Sequence, residues 1–266
     1  MNARPIDDVT FIVFDVETTG LYPEMGDRVC EIGAMKLIGE RVIDEFWTMV
    51  DPGRPISPGA FRINRITPEM LEGAPGMAQI MPRFLRFVGD GVLVAYNAKF
   101  DLGFLNSELS ILGYEPFRGN VIDVMMLAKR LMPYAGGFSL QNVAGLLGIR
   151  SGRGHRALED VRVTVELFLR FMGILRGRGL KSLEELLSFQ TYDPSEEKVE
   201  LIRAAIRDGK NLRIRYVSYG IESERVVTPI EIQRRYDRFY LIGFCHLRND
   251  ERNFRVDRIV EIKVIQ

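Results

Sequence analysis

Cysteine and histidine are scarce in this 266-residue chain, with only Cys30 and Cys245, His155 and His246. So few thiols, so far apart, exclude a disulfide framework, and a thiolate zinc site would need histidines the chain barely has. No apolar run approaches the roughly 20 residues that span a bilayer. The start, Met-Asn-Ala-Arg-Pro-Ile-Asp-Asp, has no basic segment leading into an apolar signal core. The expectation is a soluble, cytoplasmic protein with no membrane partner. An excess of either charge is also missing: 36 cations balance 36 anions, so bulk charge gives no argument for a nucleic-acid partner. What is present is 46% hydrophobic residues, enough for a packed core and too many for a disordered chain. The length suits one large domain, alone or with a small one.

Charge is mildly uneven along the chain. Residues 196–266 carry 15 cations against 12 anions, and 12 of those cations are arginine. Arginine presents a planar fork to phosphate, whereas lysine is a point charge. The run Val9 to Phe14 reads as a buried strand that ends at Asp15-Val16-Glu17-Thr18-Thr19-Gly20. Strands over Val29 to Ile38 and Val42 to Val50 extend it into a meander. A helix near Gln79 to Val88, a strand at Val92 to Ala95 and a helix from Lys99 to Leu112 follow. Val121 to Val124 is a further strand, Ser139 caps a helix Leu140 to Leu147, and a last helix runs from Arg156 towards Met172. Three antiparallel strands followed by alternating helices and strands imply an α/β fold, a mixed sheet covered on both faces. Glycine, charge and Asp193-Pro194-Ser195 mark residues 176–196 as a linker with one short helix, Ser182 to Leu187. Residues 1–175 then form one domain and 197–266 a small β-rich one behind a single helix.

Asp15 and Glu17 stand two apart at a strand's end, so alternation puts both carboxylates on one face. Like charges held this close persist where a cation sits between them, and oxygen-only ligands select magnesium or manganese. Alone, the pair favours the plainer reading of a solvated strand end with a turn. Asp101 opens a helix straight after a buried strand, beside that strand end, although a first-turn acid also suits the helix dipole. His155 and Asp160, five apart, would point some 140° apart on one helix. Gly152 and Gly154 instead place His155 on a loop before the helix, where it is free to act as a proton carrier or to be an ordinary loop histidine.

Together, Asp-x-Glu, Asn-x3-Asp and His-x4-Asp at strand-to-helix boundaries strongly resemble the DEDDh (DnaQ-like) exonuclease family, and within it the proofreading epsilon subunits of bacterial replicative polymerases. The likeness covers roughly residues 8–172, with Phe14 to Gly20, Asn97 to Leu105 and His155 to Val161 as its three motifs. Ile63-Asn64-Arg65-Ile66-Thr67 is similar to the family's Ile-x-x-Ile-Thr segment, where relatives often carry His-Gly in the middle. The resemblance implies an RNase H-like fold and two divalent ions, Mg2+ or Mn2+, held by Asp15, Glu17 and Asp160. Asp101 would complete the site, and His155 would take the proton from the attacking water, as an imidazole with a pKa near working pH is suited to do. Thr18, Gly20, Leu21 and Asn97 would lie near the terminal nucleotide, with Phe104 beside the base or in the core. It implies a 3′→5′ exonuclease acting on single-stranded DNA ends, with a DNA polymerase as an optional partner. The rival readings are an RNA 3′-trimming exonuclease and a non-catalytic nucleic-acid-binding regulator.

In the C-terminal region, Phe239-Tyr240-Leu241 with the segments Leu212 to Tyr216 and Arg225 to Pro229 resembles the WYL domain, a small Sm/SH3-like barrel. Phe239 stands where that family has tryptophan. The likeness implies a ligand- or nucleic-acid-sensing module. Arg235, Arg248, Arg252, Arg255 and Arg258 with Tyr240 are the candidates to bind phosphates and stack a base, or else form surface ion pairs with nearby acids.

Overall fold

Phe11, Ile12, Val13 and Phe14 are all buried, so successive side chains meet protein on both faces of β1 (Thr10–Thr18), as a central strand requires. The computed structural model describes residues 4–133, 135–150, 156–191, 194–218, 221–235 and 238–266. They divide into two compact units, Met1–Leu131 with Gly137–Gln190, and Met132–Gly136 with Thr191–Gln266.

In the first unit β1 pairs antiparallel with β2 (Val29–Ile38), which pairs antiparallel with β3 (Arg41–Met49). Helices α1 (Pro58–Asn64), α2 (Pro68–Leu71) and α3 (Met77–Val88) lead to β4 (Val92–Ala95), parallel to β1. Helix α4 (Ala98–Ile111) leads to β5 (Val121–Asp123), parallel to β4. Then come α5 (Val124–Leu131), α6 (Leu140–Leu146), α7 (Ala157–Gly177) and α8 (Leu183–Thr191). The strand order β3-β2-β1-β4-β5 makes a mixed sheet with β1 at its centre. Ile12, Phe14 and Val16 face a core that includes Met81 and Phe84 of α3 and Phe104 and Leu105 of α4. On the other face Phe11 meets Phe168 of α7 edge-on, with ring centroids 5.0 Å apart.

The expected α/β architecture with helices on both faces is thus the one observed, and α7 runs about a turn beyond its expected end. Gly33 explains how α7 sits so low on the sheet. A Cβ there would come within 2.6 Å of the Leu158 backbone nitrogen, so only glycine admits this approach. Gly33 also pairs with Asp15 in the ladder, so the close approach brings the start of α7 over the acidic strand end.

Among the described residues the second unit has one α-helix, α9 (Pro194–Arg207), and five antiparallel strands: β6 (Asn211–Ser218), β7 (Ile221–Arg235), β8 (Arg238–Cys245), β9 (Asp250–Arg255) and β10 (Ile259–Ile265). Their order is β10-β6-β7-β8-β9. Val199, Ile202 and Ala205 of α9 pack on Leu212, Ile214, Val227 and Leu241. The expected small β-rich unit behind a single helix is thus the one observed, as a five-stranded antiparallel sheet. Among the described residues β9 and β10 each pair with a single neighbour, so no closing ladder forms. No described helix is long and apolar enough to cross a membrane.

Candidate active site

Asp15 and Glu17 continue the face of β1 that carries Phe11 and Val13, the face beneath α7. Asp160 enters from the first turn of α7. One carboxylate oxygen from each of Asp15, Glu17 and Asp160 lies within 4.8 Å of the others. This all-oxygen set can hold a hard cation such as magnesium or manganese. Asp101, 2% exposed on the first turn of α4, lines the same cleft, and its Oδ1 accepts the Val16 N–H at 3.1 Å. The sequence-derived acids therefore meet at one place. His155 lies outside the described residues.

The carboxylates are electrostatically crowded. Burial, then Asp101, Glu17 and Asp160, hold the Asp15 carboxyl well above the usual range. Glu17 is pushed up to about 8 by burial, then by Asp160, Glu31 and Asp101, while Asn64 pulls the other way. Burial also takes Asp101 to about 8, outweighing the bond from Val16. Such a cluster favours either protons or a bound cation, and the donor chemistry fits the latter.

Around the acids lies a cleft of about 210 Å³. Thr18, Gly20 and Leu21 form one wall, Ala60, Ile63 and Asn64 of α1 a second, and Tyr96 and Phe100 a third. The Thr18 hydroxyl donates to the Gly20 carbonyl at 2.6 Å. Phe104 is 1% exposed in the core, and Phe100, one turn earlier and in ring contact with it, lines the cleft instead. Asn97 is exposed with a left-handed backbone (φ 64°), and its N–H donates to Asp123 Oδ1. It does not line the cleft, so the structure gives it a turn-forming place.

Asn64 faces inward. Its Nδ2 donates to the Thr18 carbonyl and its Oδ1 accepts the Ile66 N–H, both at 3.1 Å. Arg65 beside it has φ 57°, a left-handed conformation at the end of α1 that glycine adopts more readily.

Two further residues matter that motif reading missed. Glu31, fully buried and opposite Glu17 across β1–β2, pairs with Arg156 at 2.9 Å. It also accepts from Trp47 Nε1 at 2.7 Å and from the Ala157 N–H at 3.3 Å. The pair fixes the first residue of α7, and with it the segment next to His155. The signal was a lone acid inside the apolar run Val29 to Leu37, which needs a buried partner.

In the second unit the six singled-out residues separate. Arg248 and Arg252 line a cavity of about 400 Å³ together with Arg225, Tyr216 and Ser218. Arg225 escaped notice, although alternation puts it on the Val227 side of β7, towards the core. The Arg235 guanidinium stands 5.4 Å from the Tyr240 ring centre, Arg255 is bidentate on Asp257, and Arg258 sits half-buried in the turn before β10.

Residues 12–168 match the family model described as Exonuclease, and 197–264 match that of the WYL domain. The DNA polymerase III PolC-type of Thermotoga maritima is 41% identical over 180 residues, 67% of this chain, which spans only 13% of that polymerase's length. The DNA polymerase III subunit epsilon of Treponema pallidum is 42% identical over 164 residues, covering 61% of this chain and 76% of the subunit. Among solved structures, Exonuclease X in complex with 5′ overhanging duplex DNA shares 27% identity at a TM-score of 0.54, covering 68% of this chain and 99% of that one. E. coli Exonuclease I in complex with a dT13 oligonucleotide aligns over 89% of this chain and 55% of its own at a TM-score of 0.58, and its 20% identity speaks to the fold alone. The chain therefore belongs to the DnaQ-like family of 3′→5′ exonucleases, with a WYL domain following its exonuclease domain.

Proposed function

We propose that the first unit removes nucleotides one at a time from the 3′ end of single-stranded DNA and releases nucleoside 5′-monophosphates. The observation that carries this reading is the convergence of Asp15, Glu17 and Asp160 within 4.8 Å at the foot of a walled cleft. Two divalent cations bound there would neutralise the attacking and leaving oxygens of an in-line displacement. Asp15, Glu17 and Asp160 would hold the cations, and Asp101 would complete the set. His155 accepts the proton of the attacking water. Water then bonds to phosphorus, the bond to the 3′ oxygen of the preceding nucleotide breaks, and that oxygen takes a proton from solvent to become the new 3′ hydroxyl. Thr18, Gly20 and Leu21 flank the terminal sugar, and Phe100 takes the place beside the base. A relative's complex with duplex DNA supports DNA as the substrate class, and relatives named as polymerases support a polymerase partner.

For the WYL unit, the convergence of Arg225, Arg248 and Arg252 beside Tyr216 supports a phosphate-bearing ligand, a strand or a nucleotide. The deciding experiment uses 5′-labelled single-stranded DNA and RNA of matched sequence with magnesium or manganese. A descending ladder on DNA, faster than on RNA, is expected; internal cuts or an intact strand would refute the reading.

A further inference from the structure

Thr19 is fully buried next to the acidic strand end, and all its polar groups are engaged. Its N–H donates to the Arg28 carbonyl and its own carbonyl accepts the Ser57 N–H, both at 2.9 Å. Its hydroxyl accepts the Arg28 N–H at 3.0 Å and donates to Asp27 Oδ1 at 3.2 Å. From Asp27 the contacts run on. Oδ2 accepts the Tyr22 N–H at 3.1 Å, Oδ1 lies 3.4 Å from Arg54 Nη1, and Arg54 also donates to the Gly26 carbonyl. In the other direction Arg28 holds Glu108 of α4 through two bonds of 2.8 and 2.7 Å, and Glu108 Oε1 accepts the Val29 N–H.

This network joins the three segments that wall the cleft: the loop with Gly20 and Leu21, the stretch 51–57 leading into α1, and α4 with Phe100. Glu108 is 1% exposed, and burying charge costs solvation that apolar packing would avoid. What directional bonds supply is a fixed geometry. Gly20 is the most telling contact, because a Cβ there would lie 2.1 Å from Asp27 Oδ2. The cleft wall is packed directly onto that carboxylate.

We infer that Asp27, with Arg54 and the Arg28–Glu108 pair behind it, is a positioning residue that sets the spacing of the cleft walls and thereby the affinity for a 3′-terminal nucleotide. It touches neither the cation cluster nor the reacting phosphate. The inference rests on the nuclease reading of the cleft, and it refines that reading by separating strand affinity from chemistry.

The test uses the full chain, as wild type, Asp27→Ala, Arg54→Ala and the double variant. Affinity for a 3′-hydroxyl dT oligonucleotide is read by fluorescence anisotropy in calcium. KM and kcat are measured with magnesium, and manganese affinity by calorimetry. Asp27→Ala should raise Kd and KM about tenfold while kcat stays within about threefold and manganese affinity is unchanged. Arg54→Ala should move Kd and KM the same way by less, and the double variant should fall short of the product of the two single effects, since the two side chains share one contact. Asp27→Asn, which keeps one of the two acceptor oxygens, puts an NH2 group in place of the other and removes the charge facing Arg54, should fall between. Unchanged Kd and KM would overturn the inference, as would lost manganese affinity or a wild type that does not bind the strand. Wild type that binds the strand in calcium yet cleaves nothing in magnesium would refute the nuclease reading, with Kd still deciding the role of Asp27. Should Asp27→Ala fail to fold, Arg54→Ala and Asp27→Asn carry the test.

Discussion

The Glu17 carboxyl shows what the acidic cluster does when only protons balance it. Its pKa in the folded chain is about 8 against an ordinary 4.5, with burial as the largest cause. Between those values the folded state holds a proton that the unfolded state has released. Stability without metal should therefore be greatest below about pH 4.5 and fall as pH rises towards 8. Asp15 and Asp101 are raised too and add to the same slope. Glu17→Gln should flatten this dependence in melts of the metal-free protein and abolish cleavage; an unaltered slope would contradict the crowding. Arg65 carries a different kind of strain. A non-glycine residue at φ 57° costs about 1–2 kcal/mol, partly offset by the greater freedom of glycine in the unfolded chain. Arg65→Gly should stabilise the protein by ~0.5–1 kcal/mol in denaturant titrations. A loss instead would mean that the arginine side chain holds something that outweighs its backbone.

Single elements were read well wherever periodicity and end signals agreed. Val9 to Phe14 gave β1, Ser139 does accept the Asn142 N–H as the cap of α6, and the helical pattern from Lys99 to Leu112 gave α4. Contacts between elements distant in sequence were not legible. Nothing local shows that Glu31 and Arg156, 125 residues apart, meet over β2, or that Phe100 rather than Phe104 faces the cleft. The order β10-β6-β7-β8-β9 was likewise not legible, because a strand's sequence does not reveal which neighbours its edges find. The Glu31–Arg156 pair matters most for α7. Arg156→Ala would leave Glu31 buried beside Glu17 without its cation. The loss should fall near the lower end of the ~3–5 kcal/mol typical for one partner of a buried pair, because a third of the Arg156 side chain meets water. Arg156→Lys, with one point charge for a fork, should lie between. Urea unfolding would read both, and a stability equal to wild type would show that the pair does not hold α7.

At the scale of the whole chain, the first unit holds both its own core and the full acidic cluster, so the chemistry should survive alone if the cut respects what α8 does. Gln190 at its end donates to the Val121 carbonyl at 2.7 Å and accepts the Asp123 N–H at 2.9 Å. The Ile6 and Leu183 N–H groups donate to the Lys181 and Arg4 carbonyls, tying the start of the chain to the same stretch. Removing residues 176–190 would leave the end of β5 and the first residues of the chain without these partners. A chain cut after Gln190 should therefore fold and cleave, whereas one cut after residue 175 should melt at a clearly lower temperature. Losing the WYL unit removes the arginines that converge near Tyr216. If they contact phosphates, each would contribute about −0.7 to the salt slope on a single strand. The 1–190 protein should then bind long oligonucleotides more weakly and with a shallower salt dependence, yet cleave a trinucleotide as fast as the intact chain. Identical slopes for the two proteins would leave the cavity at Arg225, Arg248 and Arg252 to a free nucleotide or another small anion.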